Sequence, residues 1–122
     1  MKILLVDDSK TMRNIQKKVL SDISGSEFAE AGDGVEALGV LTGQKFDLIL
    51  VDWNMPNMDG LTLVTKIRES DKATPLVMCT TEAEKNRIIE AIKAGVNNYI
   101  VKPFTAESLT DKVKTTLAKK AA

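Results

Sequence analysis

Five short apolar runs, each followed by a stretch with helical periodicity, restrict the possible folds of this chain more than any other feature. The runs are residues 3–6, 27–31, 46–51, 76–79 and 98–101, of which 27–31 is the least apolar. Between them, Met12, Ile15, Val19 and Ile23 repeat at intervals of three and four, as one face of a helix does. Val35, Leu38 and Leu41 make a second face, with Asp33 placed to cap it, and Leu61, Val64 and Ile67 make a third. Ile89, Ile92 and Val96 make a fourth, and Leu109, Val113 and Leu117 a fifth behind Thr105. Gly43 and Gly95 read as stops to the second and fourth helices. A β-α unit repeated in this way implies a parallel sheet covered by helices on both faces. Right-handed crossovers leave few topologies, and five strands most simply take the order 2-1-3-4-5. The predicted fold class is α/β: a doubly wound, flavodoxin-like parallel sheet of five strands with five helices.

The 122 residues fit one domain, with no linker, repeat or low-complexity tract. Only "AKKAA" at the end reads as a fraying tail. Lys plus Arg and Asp plus Glu number 17 each, so no global basic field draws the chain to nucleic acid or anionic lipid. One cysteine, Cys79, excludes a disulfide framework and reads as an inert strand thiol. The opening "MKILLVDD" is too short for the roughly 7–15 apolar residues of a signal segment, and no run reaches the ~18 of a membrane span. A cytoplasmic protein is expected. Histidine is absent, which removes Ser-His-Asp and Cys-His catalysis and His-ligated zinc. Chemistry must come from carboxylates, hydroxyls, lysines or a hard metal ion.

Ligands of open α/β sheets bind at the carboxyl ends of the strands, beside the switch point between strands 1 and 3. Strand 1 runs into Asp7-Asp8, strand 3 into Asp52, strand 4 into Thr80-Thr81 and strand 5 into Lys102. Each group alone reads equally as a solvated strand end. Together they line one edge of adjacent strands. Two unit charges ~4 Å apart repel by about 4 kcal/mol at an effective dielectric of about 20, so three acids either take up a proton or hold a cation. Carboxylate and carbonyl ligands favour Mg²⁺, or Mn²⁺ in its place. With a metal bound the edge accepts an anion, Lys102 supplies a point charge, Thr80 a hydroxyl donor, and Asp52 remains to attack phosphorus.

The ordered set Asp7-Asp8, Asp52 with "MPNMDG" beyond it, Thr80 and Lys102-Pro103 resembles the receiver domain of two-component response regulators, across residues 1–122. "DWNMPNMDG", "TEAEK" and "AGVNNYIVKPFT" bring it close to the single-domain chemotaxis members. The resemblance implies a signalling switch, not an enzyme with an external substrate. Asp52 would be the phosphoacceptor. Asp8 would ligate Mg²⁺ directly, Asp7 largely through water, and Asn54 through its backbone carbonyl. Thr80 and Lys102 would bind the phosphoryl group, and the Lys102–Pro103 peptide would be cis. Asn54 and Glu82 would tune dephosphorylation. The phosphodonor would be a histidine kinase or a small acyl phosphate. One departure is Thr81, where the family usually carries a small residue, often Ala; its branched side chain is expected to slow bulky donors.

Tyr99 reads either as an edge-strand aromatic or, by resemblance, as a rotamer switch that moves with Thr80. Shifting such a pair from about 1:99 to 99:1 takes about 5.5 kcal/mol, so a partial shift and some active-like population beforehand are expected. Helix 4, strand 5 and helix 5 would form the output face, with Tyr99 part of it, Ile88 exposed at the margin of the Ile89/Ile92 stripe and Lys85 and Lys112 beside it. Trp53 reads as a partly buried packing residue that would still report metal binding. The expected chain is a monomer acting by protein contact: at a flagellar motor switch, as a phosphorelay shuttle, or as a phosphate sink. Two other classes compete. A haloacid-dehalogenase-type phosphatase shares the chemistry but places its nucleophile after its first core strand and carries an Asp where Asn54 stands. A flavin mononucleotide carrier shares the strand order but would not put two acids in its first loop.

Overall fold

The computed structural model describes residues 1–23 and 25–121. Ten elements alternate: β1 (Lys2–Val6), α1 (Lys10–Leu20), β2 (Glu27–Ala31), α2 (Gly34–Gly43), β3 (Leu48–Val51), α3 (Gly60–Ser70), β4 (Leu76–Thr80), α4 (Lys85–Ala94), β5 (Asn98–Val101) and α5 (Ala106–Ala121). All four strand pairs are parallel and the order is β2-β1-β3-β4-β5, as the alternation predicts.

Strand alternation sorts the side chains into two cores, one on each face of the sheet. Leu4, Val6, Ile49, Val51, Leu76, Met78 and Tyr99 face one way, onto Leu63, Val64 and Ile67 of α3 and Ala91 of α4. Ile3, Leu5, Leu48, Leu50, Val77, Cys79 and Ile100 face the other, onto Leu20 of α1 and Leu109 and Val113 of α5. Each aliphatic side chain buried completely in this way contributes about 1.5–3 kcal/mol. Caps fix the helix starts. Ser9, Asp33 and Asp59 each accept from a backbone N–H one turn into α1, α2 and α3, and Thr105 Oγ1 accepts from Ser108 N at α5.

Several helix faces differ from the apolar count. In α1 the buried pair is Gln16 and Leu20, while Ile15 is exposed and Ile23 lies beyond the helix. Gln16 hides from any count of apolar residues. In α2 the buried residues are Gly34 and Ala37, and Val35 is exposed. In α4, Ile88 and Ala91 turn inward and Ile89 and Ile92 turn out, at 39% and 55% exposure. Ile88 is therefore half-buried, contrary to expectation, and its two neighbours in sequence spacing present the apolar surface. β3 starts at Leu48 rather than at 46; Phe46 is buried just ahead of it with Lys2 Nζ 5.4 Å from its ring centre. The expected fraying tail is instead helical to Ala121, and Ala122 lies outside the described residues. Among the described residues no helix is long and apolar enough to cross a membrane.

Candidate functional site

The sheet ladder continues past the strand ends and so fixes the polar residues there. Asp7 N donates to Ala31 O, Asp52 N to Val6 O, and Lys102 N to Thr80 O, at 2.8–3.1 Å. These bonds carry Asp7, Asp52 and Lys102 to one edge. Oxygen atoms of Asp7, Asp8 and Asp52 come within 4.8 Å of one another, with Asp7 and Asp52 buried and Asp8 exposed.

Asp7 is held at both oxygens: Oδ1 accepts from Ser9 N at 2.9 Å, and Oδ2 from Lys102 Nζ at 2.6 Å. Its carbonyl accepts from Arg13, which is also paired with Glu30. Asp52 is held more loosely, by Lys102 Nζ at 3.2 Å on Oδ2 and by Asn54 N at 3.4 Å on Oδ1. Of the two buried carboxylates, Asp52 is thus the one whose oxygens are held at longer distances and are more readily released to form a new bond. Burial works against the Lys102 charge, but the bond to Asp7 and the field of Asp52 outweigh it and hold its pKa above the ordinary value.

Thr80 and Tyr99 sit on the α3/α4 face of the sheet and meet at one residue. Glu82 N donates to Thr80 Oγ1 at 3.3 Å, and Tyr99 Oη donates to Glu82 O at 2.7 Å. Glu82 Oε1 in turn accepts from Asn54 Nδ2 at 3.2 Å, which joins the two residues expected to tune dephosphorylation. Tyr99 is buried, at 8% exposure, and so is not an open part of the output face as expected; burial pushes its phenol up to about 12. Lys85 and Lys112 are exposed on α4 and α5. The Lys102–Pro103 peptide is cis.

The donor set suits a hard dication. It offers oxygen only, and three carboxylates with one ammonium leave two formal negative charges. A cleft of about 590 Å³ lined by Leu38, Leu41, Phe46 and Ile67 lies at the opposite end of the sheet, where the strands begin, and contributes nothing to this chemistry.

A family described as the response regulator receiver domain matches residues 3–114. The chain belongs to the response regulator receiver domain family. Chemotaxis protein CheY of Pseudomonas aeruginosa is 48% identical over 116 residues, 93% of this chain and 94% of that protein. CheY1 of Helicobacter pylori is 49% identical over 120 residues, 96% and 97% of the two chains. The solved structure of a two-component response regulator from Clostridium difficile superposes with a TM-score of 0.92 at 32% identity, over 100% of this chain and 99% of that one. CheY4 of Vibrio cholerae gives 0.87 at 37% identity, over 94% and 97%.

Gly60, Trp53 and Arg87 also shape this receiver domain around Asp52. Gly60 must be glycine: a side chain there would collide with the Asp52 carbonyl, and Gly60 N donates to Trp53 O at 2.8 Å. Trp53 is buried more deeply than expected, at 5% exposure, with the Arg87 guanidinium 5.1 Å from its ring centre. Gly60 was visible in "MPNMDG", but nothing local in the sequence points from Arg87 to Trp53.

Proposed function

We propose that this chain is a phosphorylation-dependent signalling switch working through Asp52. The observation that carries this reading is the convergence of Asp7, Asp8, Asp52 and Lys102 on one sheet edge, with Lys102 bonded across 95 residues to Asp7. An Asp52 oxygen forms a bond to the phosphorus of a phosphohistidine or acyl phosphate. The bond from phosphorus to the donor breaks, and the electron pair leaves with the imidazole or the acyl oxygen. Asp7, Asp8, Asp52 and the Asn54 carbonyl would hold Mg²⁺ or Mn²⁺, which supplies charge neutralisation for the phosphoryl oxygens. Lys102 offers its ammonium to the same oxygens once it leaves Asp52, and Thr80 offers its hydroxyl. Water later cleaves the acyl phosphate, with Asn54 and Glu82 at the mouth setting its approach.

Tyr99 and Thr80, both tied to the Glu82 backbone, are the coupling elements of this switch. Its output is protein contact on the α4-β5-α5 face, where Ile89, Ile92 and Val101 are exposed between Lys85 and Lys112. The names of the relatives favour chemotaxis. In this reading the phosphodonor is a histidine kinase and the target the flagellar motor switch, in the cytoplasm. A phosphorelay shuttle or phosphate sink is the second reading within this class.

The test is incubation with acetyl phosphate and Mg²⁺, followed by intact mass. One phosphoryl group per chain, lost without Mg²⁺ and in Asp52→Asn, is expected. Sustained turnover of a phosphate monoester without a stoichiometric intermediate would favour the phosphatase instead.

A further inference from the structure

The loop after Asp52 is fastened at a point the chemistry above does not use. Asn57 adopts φ +66°, a left-handed conformation that Asn tolerates better than most residues. From there Asn57 Nδ2 donates to Asp33 Oδ2 at 2.7 Å. The other oxygen of Asp33 accepts from Glu36 N at 2.8 Å and so caps α2. One carboxylate thus closes a helix and grips the loop of a different β-α unit. The next residue reinforces the grip. A Cβ built on Gly34, the first residue of α2, would lie 2.8 Å from Met58 Cβ, so α2 and the loop meet without room for a side chain.

The base of the loop is pinned as well. Gly60 N bonds Trp53 O at 2.8 Å, and Met58 N bonds Pro56 O at 2.7 Å. Held at base and tip, the segment from Asn54 to Asp59 has little freedom to change the direction of the Asn54 carbonyl. A metal ligand supplied by a backbone carbonyl can be tuned only through the loop that carries it.

We propose that Asp33 and Asn57 are positioning residues for the metal site: their hydrogen bond ties the acceptor loop to α2 and so preorganises the Asn54 carbonyl. This rests on the proposed receiver function, in which that carbonyl is a ligand. The clasp lies outside the acid cluster and touches neither the metal nor the phosphoryl group.

Asn57→Gly removes the side-chain bond while accepting φ +66° without strain; because glycine also frees the loop backbone, Asp33→Ser, which breaks the same bond from the α2 side, must show the same loss. Asp33→Ser keeps a hydroxyl to cap α2 but is too short to reach Asn57. Mg²⁺ affinity is read by Trp53 fluorescence and independently by calorimetry, well below the unfolding temperature of each variant. Loss of a hydrogen-bonding partner of a metal ligand typically costs roughly 10–100-fold in affinity. One step further out, each variant is expected to weaken Mg²⁺ about fivefold. The double variant should be no weaker than the singles, since they break one bond. Wild-type affinity in Asn57→Gly, or a lower unfolding temperature in both variants with unchanged Mg²⁺ affinity, would overturn the proposal and leave the receiver reading intact. A wild-type chain that binds no Mg²⁺ would instead overturn the proposed phosphorylation switch, and this inference with it.

Discussion

Lys102 Nζ lies 2.6 Å from Asp7 Oδ2, although 95 residues separate the two in the chain. The ammonium therefore occupies charge that a metal ion would otherwise claim. Two unit charges ~4 Å apart interact by about 4 kcal/mol at an effective dielectric of about 20, and side-chain rearrangement recovers part of that. Lys102→Met should tighten Mg²⁺ about tenfold, or about 1.4 kcal/mol, while slowing phosphorylation of Asp52. Weaker Mg²⁺ binding in this variant would contradict the charge argument.

Alkali should expose the burial of Tyr99. Its phenol is pushed from 10.0 up to about 12 in the folded chain by burial. The unfolded chain releases that proton first, so stability is full below pH 10 and falls as the pH rises from about 10 towards 12. Lys102, also raised, adds a loss of the same sign. The chain has one tyrosine, so phenolate absorbance reports this group alone. Phenolate should appear near pH 12 or together with unfolding; a midpoint of 10 in the native protein would contradict the buried placement.

Gln16 offers a stability test away from the site. Its side chain is buried at 2% exposure, Nε2 reaches only Cys79 Sγ at 3.7 Å, and Oε1 has no partner among the described residues. An unsatisfied buried acceptor costs about 1–3 kcal/mol, and methionine has nearly the same shape without one. Gln16→Met should stabilise the chain by about 1 kcal/mol, read as a higher urea midpoint at unchanged slope. A lower midpoint would mean that Gln16 is satisfied in solution.

The fold and the centre of the site were legible in the sequence for the same reason. Strand ends are marked by the change from Val6, Val51 and Thr80 to the groups beyond, and a parallel sheet brings such ends together. Helix orientation was less legible. The α4 helix carries apolar residues at 88, 89, 91 and 92, and spacing fits either Ile88 with Ala91 or Ile89 with Ile92. Tertiary packing decides between them, burying Ala91 completely and Ile88 in part. The Asp33–Asn57 and Arg87–Trp53 contacts join units far apart in sequence and left no local pattern to read.

Thr81 is exposed and directly follows the buried Thr80. A branched side chain at this position is expected to narrow access to Asp52. Thr81→Ala should be phosphorylated faster than wild type by bulky donors, with a smaller gain for acetyl phosphate. Equal rates with every donor would remove Thr81 from the account.

The most direct test of the central claim is to trap the acyl phosphate where it forms. After incubation with acetyl phosphate and Mg²⁺, borohydride reduction and peptide mass mapping identify the modified carboxylate. A single conversion of aspartate to homoserine at position 52, dependent on Mg²⁺, is expected. Conversion at Asp7 or Asp8, or none at all in a chain shown to bind Mg²⁺, would contradict it.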